Sequence, residues 1–225
     1  MNYKGPYQPP TVTVDAVIFQ LNNDTLEILL VKRSTPPFLG DWALPGGYSA
    51  QGETTLDALR TKVSAKAGVD IIKDLKYIEQ LYTFDTTARD PRGHAVSVAY
   101  MGCGLALLPK KSSEKTNFFA LDALPELAYD HKDIIRYAHE RLRAKLTYTN
   151  AVYGLLPKQF TLTHLQNAYE AVLGVTLDKR NFRKKFLSLQ LIRETNQSFR
   201  DGAHRPARLY EFNKQTIESL TRSFD

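Results

Sequence analysis

Cysteine is nearly absent from this chain of 225 residues. The single thiol, Cys103, can form neither an internal disulfide nor a cysteine-rich zinc site, and its flanks from Val98 to Ala106 suit a buried strand. Long apolar runs are missing as well. None approaches the roughly 20 residues that span a bilayer, and no charged-then-apolar leader opens the sequence, so a cytoplasmic setting without a membrane partner is expected. The chain has no acidic excess either: 30 Lys and Arg stand against 24 Asp and Glu, a net charge of +6. Its location matters more than its size. Residues 177–209 hold nine cations (Lys179, Arg180, Arg183, Lys184, Lys185, Arg193, Arg200, Arg205, Arg208) against three acids (Asp178, Glu194, Asp201), so the rest of the chain is neutral. A neutral body with a basic terminal block is the asymmetry of a polyanion-binding appendage.

What is present reads as ordinary globular protein, 43% hydrophobic and 24% charged, long enough for two modest domains. Val12, Val14, Ala16 and Ile18 alternate, then Asn22, Asn23 and Asp24 turn the chain into the apolar run Leu26 to Val31, a hairpin pattern. A Pro- and Gly-rich loop follows, then an expected helix over 53–67 with Glu53 in its first turn. Strands are expected over 75–84 and 94–108, an exposed loop over 110–117, and a last strand and turn over 118–124. Ile134, Ile135, Ala138, Leu142 and Leu146 recur at helical spacing. Strands and helices mix without strict alternation, so the fold class is α+β, with a first domain over 1–149 and a second over 150–225.

The second domain opens with a threonine-capped amphipathic helix over 160–173 that Gly174 ends. Asp178 caps another over 179–189, in which Phe182, Phe186 and Leu189 fall on one side and Arg180, Arg183 and Lys184 on the other. Two short strands, 191–194 and 207–212, complete a winged helix-turn-helix pattern. A basic helix fits the major groove of double-stranded DNA, and hairpin cations lie along phosphates. The candidate DNA-binding residues are Thr161, Thr163, Lys179, Arg180, Asn181, Arg183, Lys184, His204, Arg205 and Arg208. Symmetric operators are read by dimers, so a homodimer is expected, through the larger first domain.

Between Gly47 and Val69 the chain resembles the box of the Nudix hydrolase family: a glycine, five residues, Glu, seven residues, then Arg-Glu-apolar-x-Glu-Glu-x-Gly-apolar. Glu53, Val63, Gly68 and Val69 match that frame, and Trp42 to Gly47 matches what precedes it. The family's arginine and its three following carboxylates fall on Thr61, Lys62, Ala65 and Lys66. Positions 62, 65 and 66 share one helix face. In an active box that face holds Mg2+ through carboxylates; here it carries two ammonium groups and a methyl. The resemblance implies an α/β/α sandwich, and the inverted charge implies binding of a nucleoside diphosphate derivative without cleavage: no catalytic residue, no metal and no cofactor.

Further motifs widen the resemblance. Leu81 to Phe84, Arg89 to Gly93, Asp130-His131, Leu155 to Leu162, Leu177 to Lys185 and His204 to Ala207, together with the altered box, resemble the Nudix-related transcriptional regulators of the NrtR family. That family implies a dimeric repressor of NAD synthesis or salvage genes that binds a palindromic operator and responds to ADP-ribose or a related metabolite. For such an effector the candidates are Gly46 and Gly47, which let backbone approach phosphate, the cations Lys62, Lys66, Arg89 and Arg92, and Trp42, Tyr82 or Phe84 for stacking on the base. Two alternatives stand beside these. Arg89 to Gly93 also suits a structural turn with an internal ion pair, and Glu53 with Asp57 could pair on a metal in a working ADP-ribose pyrophosphatase. His131 reads most simply as a helix-entry or polar interface residue.

Overall fold

A computed structural model describes residues 9–199 and 206–220. Its first part is built on a seven-stranded mixed sheet. β1 (Thr11–Asn22) and β2 (Thr25–Lys32) form the expected hairpin, in which Asn23 and Asp24 take left-handed φ values of 46° and 62°; those two types tolerate that conformation best among residues with a side chain. β3 (Trp42–Ala43) pairs with β2, and β4 (Gly46–Tyr48) with β1. α1 (Thr55–Ala67) follows, then β5 (Leu75–Phe84), β6 (Ala95–Gly104), β7 (Lys115–Ala120) and α2 (His131–Tyr148). β6 runs parallel to β1 along its whole length, which no local pattern announces.

Alternation along the central strands sorts the core into two faces. Val14, Ala16 and Ile18 of β1 and Leu29 and Val31 of β2 meet Ala58, Leu59 and Val63 of α1. Val17, Phe19, Ile28 and Leu30 meet Ile134, Ile135, Ala138 and Leu142 of α2. The result is an α/β/α sandwich. α1 differs from expectation at its start: Thr54 is the N-cap and Asp57 closes a capping box. Glu53 therefore lies outside the helix, where its carboxylate accepts the Ala50 N–H. β7 begins inside the stretch expected to be loop, because Lys115 to Ala120 pairs with β2.

A 3-10 turn, Ala151–Leu155, leads into α3 (Leu162–Leu173), α4 (Lys179–Ser188) and the hairpin of β8 (Ile192–Phe199) and β9 (Ala207–Phe212), a winged helix whose first hairpin strand runs five residues past the expected 194. This part shares the α2-side core. Phe160, Tyr169, Phe182, Phe186 and Phe212 are contiguous with Ile134 and Leu142. Polar bonds tie the same junction: His139 Nε2 lies 2.8 Å from the Val172 carbonyl, and Asn167 Nδ2 donates to Asp24 Oδ2 at 2.7 Å. α2 is thus continuous with the sandwich at its N-terminus and with the winged helix along its flank. No helix among the described residues is long and apolar enough to cross a membrane.

Candidate functional site

A cleft of about 260 Å3 opens where β1, β4, α1, the loops after β2 and β5, and the start of α2 converge. Six of the expected effector residues line it together: Gly46, Gly47, Lys62, Lys66, Arg89 and Arg92. Gly46 is required by close approach, since a Cβ there would sit 2.1 Å from the Val14 carbonyl oxygen. Gly47 faces α1, and a Cβ would lie 3.5 Å from Lys62 Cδ and 3.7 Å from Lys66 Nζ. Its φ of 154° is open to glycine. The spacing of one helical turn puts both lysines on this face, while Thr61 and Ala65 are exposed and off the lining. Burial holds the Lys66 ammonium below its usual value; Glu114 opposes that, and Arg33 and Lys62 reinforce it.

Arg33 is the residue that sequence reasoning missed at this end. It leaves β2, donates to the carbonyls of Pro37 (2.8 Å) and Thr35 (3.1 Å), and lays its guanidinium over the Tyr129 ring at 5.0 Å. Arg33, Lys62 and Lys66 have no ion-pair partner among the described residues and converge on one cleft. Three half-buried cations converging without an ion-pair partner suit an anion, with Glu114 and Asp15 offsetting only part of the charge at Lys66.

The other two arginines are already engaged. Arg89 is buried and grips Asp130 in bidentate fashion, Nη2 to Oδ1 at 2.7 Å and Nε to Oδ2 at 2.9 Å, with Asp15 3.6 Å away. Arg92 clasps Asp90 with Nε and Nη2 at 2.9 and 2.6 Å, and its backbone N–H adds a third bond. That hydrogen bonding holds the Asp90 carboxyl below the usual range and raises Arg92. The turn with an internal ion pair is therefore real, and both guanidiniums still border the cleft. Behind them lies a buried floor: Asp15 accepts from Ser97 Oγ at 2.5 Å, and His131 Nδ1 accepts the Leu44 N–H at 2.9 Å. Burial lowers the His131 pKa, so its Nε2 carries the remaining proton toward Asp15 Oδ1, 3.6 Å off. His131 is thus more than a helix-entry residue.

Trp42 and Phe84 lie elsewhere. Trp42 packs edge-on against Phe119 at 4.7 Å on the α2 side of the sheet, and Phe84 joins Tyr82 and Tyr137 on a separate surface. Neither lines the cleft, although both share the sheet face of Thr13 and Asp15; they sit at other positions along that face. The aromatic rings at the cleft are Tyr48 and Tyr129. Glu53 and Asp57 do not line it either, and no group of three or more His, Cys, Asp or Glu among the described residues is placed to hold a metal ion.

On the winged helix, Asp178 caps α4 through the Asn181 N–H, and Phe182 and Phe186 anchor it on Tyr169. Lys179, Arg180, Asn181 and Lys184 are consequently exposed. Arg183 is half-buried and donates to Thr163 Oγ1 at 3.1 Å, joining α4 to α3. Arg208 pairs with Glu194 across the hairpin at 2.8 Å and stays largely exposed. Thr161 departs from expectation. It is the buried N-cap of α3, its hydroxyl accepting the His164 N–H, so it supports the surface without forming it. His204 and Arg205 lie outside the described residues.

A Nudix-type sandwich with a cationic cleft, sharing its core with a winged helix that displays a basic helix, defines a two-part class in which one part suits an anionic ligand and the other a duplex. Comparisons with known proteins give that class a family. Residues 9–138 match the NUDIX domain, and residues 152–212 match the NrtR DNA-binding winged helix domain. The chain is 38% identical over 226 residues to the ADPR responsive transcriptional repressor NtrR of Acinetobacter baylyi, covering 96% of this chain and 87% of that protein. It resembles the crystal structure of Shewanella oneidensis NrtR complexed with a 27mer DNA, with a TM-score of 0.79, 32% identity, and coverage of 95% and 99%. The NUDIX domain of Shewanella oneidensis NrtR complexed with ADP ribose matches at a TM-score of 0.51 and 34% identity, covering 63% of this chain and 94% of that one. The chain belongs to the NrtR family of Nudix-related transcriptional regulators.

Proposed function

We propose that this protein is a dimeric transcriptional repressor of NAD synthesis or salvage genes that leaves its palindromic operator when ADP-ribose occupies the cleft. In this reading residues 1–149 bind the effector and the partner copy, and residues 150–225 bind DNA. The observation that carries the proposal is the convergence of Arg33, Lys62 and Lys66, without an ion-pair partner among the described residues, beside Gly47. A pyrophosphate supplies the missing charge through charge-assisted hydrogen bonds. Arg89 and Arg92, held by Asp130 and Asp90, shape the wall and contribute field more than direct contacts. The relatives' names support the assignment of both ligands.

Cleavage is not part of the proposal. Where an active box places carboxylates to hold Mg2+, this helix places Lys62 and Lys66, which repel the metal and attract the substrate's phosphates. For the effector to release DNA it must favour one arrangement of the two parts over another, and couplings of about 1–3 kcal/mol weaken operator binding from several-fold to about a hundredfold. One experiment tests the whole reading: titrate ADP-ribose, with Mg2+ present, into a complex of the full chain with its operator. Release of DNA without formation of AMP is expected. Retention of DNA at saturating ligand, or AMP produced at enzymatic speed, would overturn it.

A further inference from the structure

The winged helix is fastened to the sandwich at its exit as well as at its entry. Residues 213–220 follow β9 and turn back along the junction. Their start is fixed at the corner between α4 and β8, where the Asn213 N–H donates to the Leu191 carbonyl at 2.9 Å and its side-chain amide to the Gln190 carbonyl at 2.7 Å. Their end is fixed at the foot of α2. The Leu220 N–H donates to the Tyr148 carbonyl at 2.7 Å, and Ser219 bridges Thr149 in antiparallel fashion. Asn150 holds the middle. It is 1% exposed; its backbone N–H donates to the Glu218 carbonyl at 3.1 Å, its Nδ2 to the Thr216 carbonyl at 2.9 Å, and its Oδ1 accepts the Glu218 N–H at 2.8 Å. A side-chain amide supplies that donor and that acceptor at once. Apolar anchoring is slight by comparison: Ile217 is half-buried against the shared core, and residues 213–216 are exposed.

Packed helices slide over one another by small shear movements, so the contact of α2 with α3 does not by itself fix the angle between the two parts. Fastening both chain ends at residues 148–150 removes that freedom. The opposite end of α2 lies in the cleft: its N-cap Asp130 grips Arg89, and its first residue His131 accepts the Leu44 N–H. A shift imposed there reaches the junction along one continuous helix. We propose that Asn150 and residues 213–220 form a clasp that fixes the angle of the winged helix on α2 and so carries the effector's influence to the DNA-binding surface. This rests on the ligand-released repressor reading and says which contacts enforce it. A ligand alters DNA affinity only through a difference between two arrangements, and with the clasp open the winged helix no longer follows α2. Both binding surfaces survive in that state. Asn150 is a positioning residue, since it belongs neither to the cleft lining nor to the basic face of α4. Its bonds reach a largely exposed segment, the kind that opens locally without global unfolding.

The test measures operator affinity of the full chain with and without saturating ADP-ribose and takes the ratio of the two. A wild-type ratio of about tenfold or more is expected. Asn150→Ala is expected to bring the ratio to within about twofold of one, while ADP-ribose affinity and ligand-free operator affinity each stay within about threefold of wild type. Leu220→Pro removes the donor to Tyr148 and should lower the ratio in the same direction, which decides the matter where Asn150→Ala does not fold. Gln215→Ala, at an exposed position of the same segment, should leave it unchanged. Wild-type ratios in the Asn150 and Leu220 variants would overturn the clasp and leave the repressor reading standing. So would a collapse of ligand-free operator binding in a variant that still binds ADP-ribose, because the segment would then only support the winged helix. A wild-type ratio of one would sink the repressor reading and the clasp with it.

Discussion

Two groups of cations in this molecule carry the same charge and suit different partners, and burial decides which. In the cleft, Arg33, Lys62 and Lys66 are half-buried against the sheet, and desolvation lowers the Lys66 pKa. On α4, Lys179, Arg180 and Lys184 stand in solvent. A desolvated cation interacts strongly with a small anion that fits and weakly with anything that does not. An exposed cation exchanges easily among counterions and phosphates, so it suits a long, regular polyanion whose affinity falls with salt. The paired arginines sharpen the contrast: Arg89 and Arg92 border the same cleft, yet their charge is largely consumed by Asp130 and Asp90.

The strongest test of this division reverses charge in the cleft. Lys62→Glu with Lys66→Glu should lower ADP-ribose affinity by at least about a hundredfold, since each charged hydrogen bond contributes about 1.5–3 kcal/mol. Calorimetry reads the loss. Operator affinity without ligand should stay within about twofold, because neither lysine lies on the DNA-facing part; a parallel collapse of operator binding would erase the distinction. Wild-type affinity for ADP-ribose should also decline on the alkaline side earlier than the ordinary lysine value of 10.5, because Lys66 loses its proton below that value and binding must restore it.

The reciprocal change is smaller. Arg180→Ala or Lys184→Ala should each weaken operator binding about tenfold and reduce the salt slope by about one where the side chain meets a phosphate. ADP-ribose affinity should be unaffected. A variant that loses both would mean that the shared core transmits damage, and that the two surfaces are less independent than their separation implies. Arg183→Ala is a poorer probe, because Arg183 also binds Thr163 and its loss loosens α4 from α3.

What the sequence revealed follows the same line between local and non-local causes. Helix spacing alone placed Lys62 and Lys66 on one face, and the caps Asp178 and Gly174 marked a helix start and a helix end, whereas the Thr54 cap of α1 was missed in favour of a start at Glu53. Trp42 and Phe84 do not line the cleft, because an aromatic type gives no information about where along a sheet face its ring will pack, and these pack on Phe119 and on Tyr82 with Tyr137. Arg33 and Tyr129 escaped notice because they meet only through the fold, across 96 positions of chain. Asp15 left a readable trace, a lone acid inside the apolar run Val12 to Phe19, where a carboxylate needs partners; Ser97 and Arg89 supply them from distant segments. Parallel pairing of β1 with β6 had no local sign at all.

The smallest expected effect concerns the cleft's floor, where burial acts on a neutral group. His131 accepts the Leu44 N–H at Nδ1, so a second proton there would set two donors against each other, and burial, the leading cause, lowers its pKa below 6.5. Asp15 and Asp130 pull the other way. In the unfolded chain the imidazole titrates near 6.5, so below that pH the unfolded state binds a proton that the folded state refuses. The contribution of His131 to stability is therefore complete above pH 6.5 and lost as pH falls toward the depressed folded value. His131→Gln keeps an acceptor for Leu44 and should cost about 1 kcal/mol at pH 7, roughly 2–4 °C in Tm. Thermal melts from pH 7 to 5 should show the gap between wild type and variant narrowing, since the variant has no imidazole to protonate and His139 is common to both. A gap that widens on acidification would mean that Asp15 outweighs burial, that His131 is cationic when the cleft is empty, and that the floor belongs with the charged residues above it.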